Sequence, residues 1–394
     1  MTSPASGRAR TAAVTDRDGL GRPRRSGGGL GGCPEPLVRR YDVALLDLDG
    51  VVYVGPEPVP GAAAALERAR ASGVRLAFVT NNASRTAEAV AAHLTDLGIA
   101  AGPEEVVTSG QAAARVLAER LPAGAAVLVV GTDALRREVA SRGLRVLRAA
   151  ADHPAAVVQG YGVDTGWRDL AEAAAAIHAG ALWVATNTDA TIPSARGPLP
   201  GNGALVNAVR MATGVDPVVT GKPEPALHRE SVQRTGAVRP LVVGDRLDTD
   251  IEGATRSDCD SMVVLTGVTT PGRLLAAVPA HRPMYVAADL EGLLVAHPEP
   301  VRGAKGGWRC GGWRVAPRSG GRLTLGGDGT DLDALRALCA AAWEEADGVG
   351  PAGHGGRVVE GVGEPPGRLP GTPPVDALGG PAGVVLDRMS LPGG

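Results

Sequence analysis

Two aspartates one residue apart, Asp47 and Asp49, close the apolar run that starts at Val43, and Gly50 follows at once. A carboxylate costs heavily to desolvate unless something pairs with it. A strand that ends in two of them is therefore either a turn in water or a site. Three more apolar runs end on reactive types: Thr80 and Asn81 follow residues 74–79, Lys222 follows 218–219, and Asp245 follows 241–243. Singly, each reads as an acidic turn, a capping segment, a Lys-Pro loop or a Gly-Asp turn. Together they point to one site, because ligands of an open parallel sheet bind beyond the carboxyl ends of its strands.

The chemistry that needs this set is phosphoryl transfer through an aspartate. A carboxylate nucleophile splits hydrolysis into two easier steps by forming an acyl phosphate, and Asp47 is the candidate. Attack by an anion on a phosphate dianion is repulsive, so a divalent cation is expected, and hard oxygen ligands suit Mg2+. Asp47 and Asp245 would offer carboxylates and Asp49 its backbone carbonyl. Asp250 would act behind them, through water or by holding Lys222, whereas Asp248 is expected to face solvent. Asp49, two residues past the nucleophile, is placed to protonate a leaving alkoxide and then deprotonate water. Lys222, the Thr80 hydroxyl and backbone amides near Asn81 and Gly50 would converge on the phosphoryl oxygens. Gly50, lacking a Cβ, would let the loop approach closely.

These groups need a scaffold that presents strand ends. Short apolar runs alternate with helical patterns, the signature of βαβ units around a parallel sheet. Strands are expected over 43–46, 74–79, 127–130, 155–158, 181–185, 218–219, 241–243 and 262–265, and helices over 62–72, 87–97, 112–120, 135–142, 167–179 and 204–213. Residues 1–40 and 347–394, rich in Gly, Pro and Arg, read as disordered tails. Residues 305–346 read as a small appended module: strands with Gly turns, then an amphipathic helix with Leu332, Leu335, Cys339 and Trp343 near helical spacing.

The motifs DLDGVVY, VTNNASRT, TNTDATIP, PGNGALVNA, GKPEP and GDRLDTDI resemble, in order and spacing, the haloacid dehalogenase superfamily, and within it the subclass IIA phosphatases. The resemblance covers about residues 41–297. It implies an α/β fold: a Rossmann-like core over 41–120 and 217–297 with a parallel sheet, interrupted by an α/β cap domain inserted over 121–216. The cap of this group chooses the substrate, so Asp189 and the loop through Arg196 would face the leaving group. The loop TIPSARG lacks the aromatic residue the family places before the proline. The implied cofactor is Mg2+ and the implied partner a small-molecule phosphate ester, with a homodimer through the cap left open.

Several classes are disfavoured. A formal net charge of -2 gives no basic field for nucleic acid or an anionic membrane. No run of about 18 apolar residues suggests a membrane span and no leader is evident, so a cytoplasmic protein is expected. Four cysteines are too sparse for a disulfide framework and none forms a CxxC pair. TGKPEP lacks the glycine spacing of a P-loop, and the seven histidines fall outside every motif. The rivals are a phosphotransferase or mutase using the same aspartyl phosphate, and a catalytically silent binding protein on this scaffold.

Overall fold

Val43–Leu46 is apolar at every position, the pattern of a strand covered on both faces. In the computed structural model, which describes residues 29–348 apart from 193, 195, 305 and 319–321, such runs build two parallel sheets. β1 (Val43–Leu46), α1 (Ala62–Ala71), β2 (Arg75–Thr80), α2 (Ala87–Asp96), β3 (Val106–Thr108) and α3 (Ser109–Arg120) come first. The chain then enters the second sheet with β4 (Ala126–Val130), α4 (Asp133–Ser141), β5 (Arg145–Leu147), β6 (Ala156–Gln159), α5 (Trp167–His178), β7 (Leu182–Ala185), α6 (Asn202–Thr213) and β8 (Val218–Val219). It returns through α7 (Pro225–Thr235) to β9 (Pro240–Gly244), β10 (Asp260–Val264) and β11 (Tyr285–Ala287).

The first sheet runs β11-β10-β9-β1-β2-β3 and the second β8-β7-β6-β4-β5, with parallel pairing throughout. The α/β core with an inserted α/β cap is thus the architecture present, except that β8, expected in the core segment 217–297, pairs with β7 in the cap sheet. α3 belongs to both units: Ala112 packs in the core cluster with Val43 and Leu45, while Ala113, Ala114 and Leu117 pack with Val127 and Val158 of the cap. Three strands of these two sheets escaped the sequence pattern, β3, β5 and β11, each three residues long. A run so short carries no readable period.

Two regions differ from expectation. Residues 29–40, inside the expected N-terminal tail, are fastened: Leu30, Cys33, Leu37 and Val38 are buried, and Cys33 exchanges two backbone hydrogen bonds of 2.8 Å with His297. Four apolar side chains outweigh the glycine-rich surroundings that masked them. The rest of that tail, and residues 349–394 of the other, lie outside the described residues.

The second difference is the C-terminal segment. β12 (Val301–Arg302), β13 (Trp308–Cys310), β14 (Trp313–Arg318) and β15 (Arg322–Gly326) form an antiparallel meander before α8 (Asp331–Gly348). Thr330 caps α8 by accepting the Asp333 N–H at 3.2 Å. An amphipathic helix leaves one face in water, yet every residue from Asp333 to Trp343 is buried. The reason is that α8 lies between its own sheet and the core, in one apolar cluster with Ile251, Val263, Leu274 and Val286. Its polar groups are satisfied across that boundary: Arg336 donates to Asp333 at 2.7 Å and to the Val286 carbonyl at 2.8 Å, and Trp343 Nε1 to the Leu274 carbonyl at 3.0 Å.

Candidate active site

The carboxyl ends of β1, β2 and β9 lie side by side, so the groups that follow them converge. Asp47 continues β1, its N–H donating to the Val243 carbonyl of β9 at 2.8 Å. Asp245 follows β9, and the turn after it, Leu247–Ile251, is π-helical. That wide turn brings Asp250 back toward the strand end, where its Oδ2 accepts the Arg246 N–H at 3.1 Å. One oxygen each from Asp47, Asp245 and Asp250 lies within 4.8 Å of the others. Lys222 enters the middle, with Nζ 2.5 Å from Asp47 Oδ1 and 2.7 Å from Asp250 Oδ1.

Three carboxylates thus share one ammonium. Burial works against the Lys222 charge, but Asp250 and Asp47 outweigh it and raise its pKa, so it stays cationic. The carboxyls cannot all ionise around it. Burial, reinforced by Asp250, pushes Asp47 up to about 7 against the pull of Lys222. Burial, with Asp250 and Asp47, pushes Asp245 up to about 8 despite a hydrogen bond from the Val268 N–H. Such crowding calls for further positive charge.

A divalent cation fits this donor set. Asp245 Oδ1 is buried and without a hydrogen-bond partner among the described residues, and hard carboxylate oxygens are the ligands Mg2+ prefers. The backbone makes room around Asp245: Gly50 has φ +83°, and a Cβ there would meet Asp245 Oδ2 at 2.4 Å, while one on Gly267 would meet it at 2.0 Å. Gly50, expected to let its loop approach a phosphate, also makes room for Asp245.

The remaining predicted residues divide. Asp49 stands exposed at the mouth, its carboxyl raised by partial burial against a hydrogen bond from the Gly55 N–H. Thr80 is buried, its Oγ1 accepting the Asn82 N–H at 3.1 Å. Asn81 is more than a phosphate-loop amide. Its Nδ2 donates to Asp189 Oδ2 and to the Lys222 carbonyl, both at 3.1 Å, and its Oδ1 accepts the Lys222 N–H at 2.7 Å. Asp189, from the cap, therefore does reach the core, and burial raises its carboxyl pKa. Asp250 holds Lys222 as expected but also stands in the carboxylate cluster itself. Asp248 is 58% exposed and pairs with Arg246 through two hydrogen bonds. Arg196 is exposed on the turn between Thr191–Ile192 and Leu199–Pro200, where its N–H donates to Ser194 Oγ at 3.1 Å; among the described residues it makes no contact with the cluster.

Two contributors were missed. The loop after β10 delivers the Val268 N–H to Asp245 Oδ2 at 2.6 Å and Thr266 Oγ1 to the Gly50 carbonyl at 2.6 Å. The apolar run over 262–265 was read as a strand, so inspecting its carboxyl end would have found this loop. Asn187 of the cap donates to the Asn81 carbonyl at 2.7 Å; its position in TNTD gave the signal.

Comparison with known proteins agrees with this geometry. Residues 44–145 match a family described as haloacid dehalogenase-like hydrolase, residues 219–293 a second family of HAD-like hydrolases, and residues 310–361 a GCN5-related N-acetyltransferase like domain. The chain is 49% identical over 323 residues to D-glycerol 3-phosphate phosphatase of Mycobacterium tuberculosis, covering 78% of this chain and 87% of that one. Acid sugar phosphatase of Staphylococcus saprophyticus is 38% identical, over 64% of this chain and 96% of its own. Among solved structures, glycerol phosphate phosphatase from M. tuberculosis in complex with magnesium superposes with a TM-score of 0.72 at 48% identity, covering 79% and 92% of the two chains. A p-nitrophenyl phosphatase from Archaeoglobus fulgidus superposes at 0.60 with 29% identity, over 64% and 98%.

Proposed function

The chain belongs to the haloacid dehalogenase-like hydrolases, as a phosphomonoesterase of the subclass IIA group, and from that premise we propose that it hydrolyses a small polyol phosphate through an aspartyl phosphate on Asp47. The observation that carries this reading is the cluster of Asp47, Asp245 and Asp250 around the single buried cation of Lys222. The relative named for glycerol 3-phosphate supports a polyol leaving group.

In the first step an Asp47 oxygen bonds to phosphorus, the ester P–O bond breaks, and the departing alkoxide takes a proton from Asp49. In the second, Asp49, now a carboxylate, takes a proton from water as that oxygen bonds to phosphorus and the bond to Asp47 breaks. The raised Asp49 pKa suits a group that must hold a proton before giving it. Lys222 neutralises charge on the phosphoryl oxygens, and the Thr80 hydroxyl and loop amides complete their hydrogen bonding. Asp47, Asp245 and Asp250 would hold Mg2+, which when bound offsets the charge of carboxylates and phosphate alike. Asp189, reached through Asn81, faces the leaving group. Arg196 keeps a place in substrate selection only if its exposed turn closes over bound ester.

In this reading the protein is cytoplasmic, with a homodimer through the cap left open. No described helix is long and apolar enough to cross a membrane, and neither membrane nor nucleic acid is a partner in this reading.

The test is phosphate release from a panel of monoesters, glycerol 3-phosphate included, with Mg2+ and with chelator, for the native chain and Asp47→Asn. Metal-dependent release abolished in the variant is expected. Consumption of ester without free phosphate would point to transfer onto a second substrate. Unaltered release by Asp47→Asn would overturn the aspartyl phosphate.

A further inference from the structure

A second buried charge cluster lies apart from the catalytic one. Glu230, on α7 of the core, is fully buried. Three arginines from three helices converge on it: Arg115 Nε of the shared helix α3, Arg142 Nη2 at 3.1 Å from the end of α4 in the cap, and Arg234 Nε at 3.1 Å from its own helix. The cap returns the gesture. Glu138 of α4 is hydrogen-bonded to Gln111 of α3 and lies in the field of Arg234 and Arg142. A core carboxylate thus holds a cap arginine while a cap carboxylate faces a core arginine.

The cluster sits where it would control the cap. α4 packs on α3, the helix that cap and core share, with Leu117 and Leu135 in one apolar cluster. α7 begins at Pro225, three positions after Lys222, and its first turns bury Leu227 and His228. Whatever fixes α4 against α7 therefore fixes the cap relative to the segment that carries the phosphate-binding lysine. Other side-chain ties cross this junction, Asn81 to Asp189 at 3.1 Å, Asn187 to the Asn81 carbonyl at 2.7 Å and Thr132 to the Ser84 carbonyl at 3.1 Å, but none of them pairs a guanidinium with a buried carboxylate.

We infer that Glu230 and Arg142 form a hinge clamp that sets the cap against the core, making both positioning residues for catalysis although neither touches substrate. The inference rests on the phosphatase reading for its kinetic consequence but not for its geometric one. A buried carboxylate with several guanidinium partners has few alternative arrangements, because any cap rotation that withdraws Arg142 removes charge compensation from a group that water does not reach.

The test uses the full chain with Arg142→Ala, whose side chain is 25% exposed and whose loss leaves Glu230 two arginines. Fluorescent labels on Val163→Cys of the cap and Val238→Cys of the core, in a Cys259→Ser background, report the interdomain distance by energy transfer. Both labelled positions are exposed. Arg142→Ala should broaden the distance distribution and raise KM for glycerol 3-phosphate about threefold to tenfold, with kcat changed less, the range expected when a coupling contact is removed. Arg142→Lys, restoring a charge, should recover part of both. A distance distribution in Arg142→Ala identical to that of the parent would overturn the clamp whatever the activity. If the parent releases no phosphate from any ester, the functional reading fails while the distance measurement still decides the clamp.

Discussion

The two buried charge clusters are built to opposite balances. Around Lys222, three carboxylates share one cation; around Glu230, one carboxylate is held by three. The first is left short of positive charge, which makes it receptive to a metal ion and to phosphate chemistry. The second is over-supplied, which closes it: nothing more is needed there, and the arginines that hold it reach water on their outer sides. Charge deficit marks a place where something must bind, whereas charge surplus around a buried anion marks a joint.

The largest effect should come from removing the scarce cation. Lys222→Met takes away the only ammonium in the cluster, and kcat/KM for the best ester should fall by about 10⁴-fold, since positive charge on the transferring phosphoryl group carries much of the transition-state stabilisation. Steady-state kinetics at saturating Mg2+ measures it. A loss of less than tenfold would mean that the ion pair to Asp47 is structural and the deficit argument wrong.

At the joint the scarce group is the anion. Glu230→Ala should lower unfolding free energy by about 3 kcal/mol, the low end for breaking a buried ion pair, because its arginines can rehydrate. Urea denaturation at fixed Mg2+ reads this directly. Here stability rather than chemistry should suffer most, the reverse of Lys222→Met.

The clusters also differ in how legible they are. Asp47, Thr80 and Asp245 stand at the ends of β1, β2 and β9, which one parallel sheet brings together by its own geometry, while Lys222 follows β8 of the cap sheet and joins them from there; in all four the apolar run just before betrays the residue. Arg115, Arg142, Glu230 and Arg234 sit in or at the ends of helices, on faces decided by how cap and core dock. No local pattern encodes that docking. The same limit explains α8: its spacing of Leu332, Leu335, Cys339 and Trp343 showed one apolar stripe, while the core that buries its other faces comes from residues far earlier in the chain, from Ile251 to Val286. Residues 29–40 failed for the opposite reason, since composition averaged over a tail conceals a few side chains that find a pocket.

Acidity should separate the clusters next, by a smaller margin. Without metal, Asp47 and Asp245 titrate at about 7 and about 8 when folded, against an ordinary value of 3.8. Between those values the folded chain binds more protons than the unfolded one, so unfolding free energy falls as pH rises from about 4 and stops falling above about 8. Mg2+ binds the ionised carboxylates and should oppose that fall, so the stabilisation it confers should grow over the same interval. Melting temperatures with chelator and with Mg2+ from pH 5 to 8.5 test both statements. Asp245→Asn should lose the upper part of the slope. An equal Mg2+ effect at every pH would break the account of a carboxylate cluster that must deprotonate to bind.

The smallest effect should come from Arg234→Ala, and it is the sharpest check on surplus. Arg234 lies four residues from Glu230 on the same helix, is 30% exposed, and meets a carboxylate already held by Arg115 and Arg142. A partly exposed pair along one helix is worth about 0.5 kcal/mol. Because two guanidinium partners remain, the buried carboxylate is not stranded, and the loss should stay near that figure. Arg234 is also a neighbour of Glu138 across the junction, so its removal relieves one raised carboxyl of a counter-charge without touching the tie between Glu230 and Arg142. Urea denaturation of Arg234→Ala alone and combined with Arg142→Ala measures the redundancy. If the arginines share one anion, the double variant should lose more than the sum of the single losses, since only then does Glu230 approach the state of an uncompensated buried charge. Additive losses would mean that each arginine acts alone and that the surplus has no structural meaning.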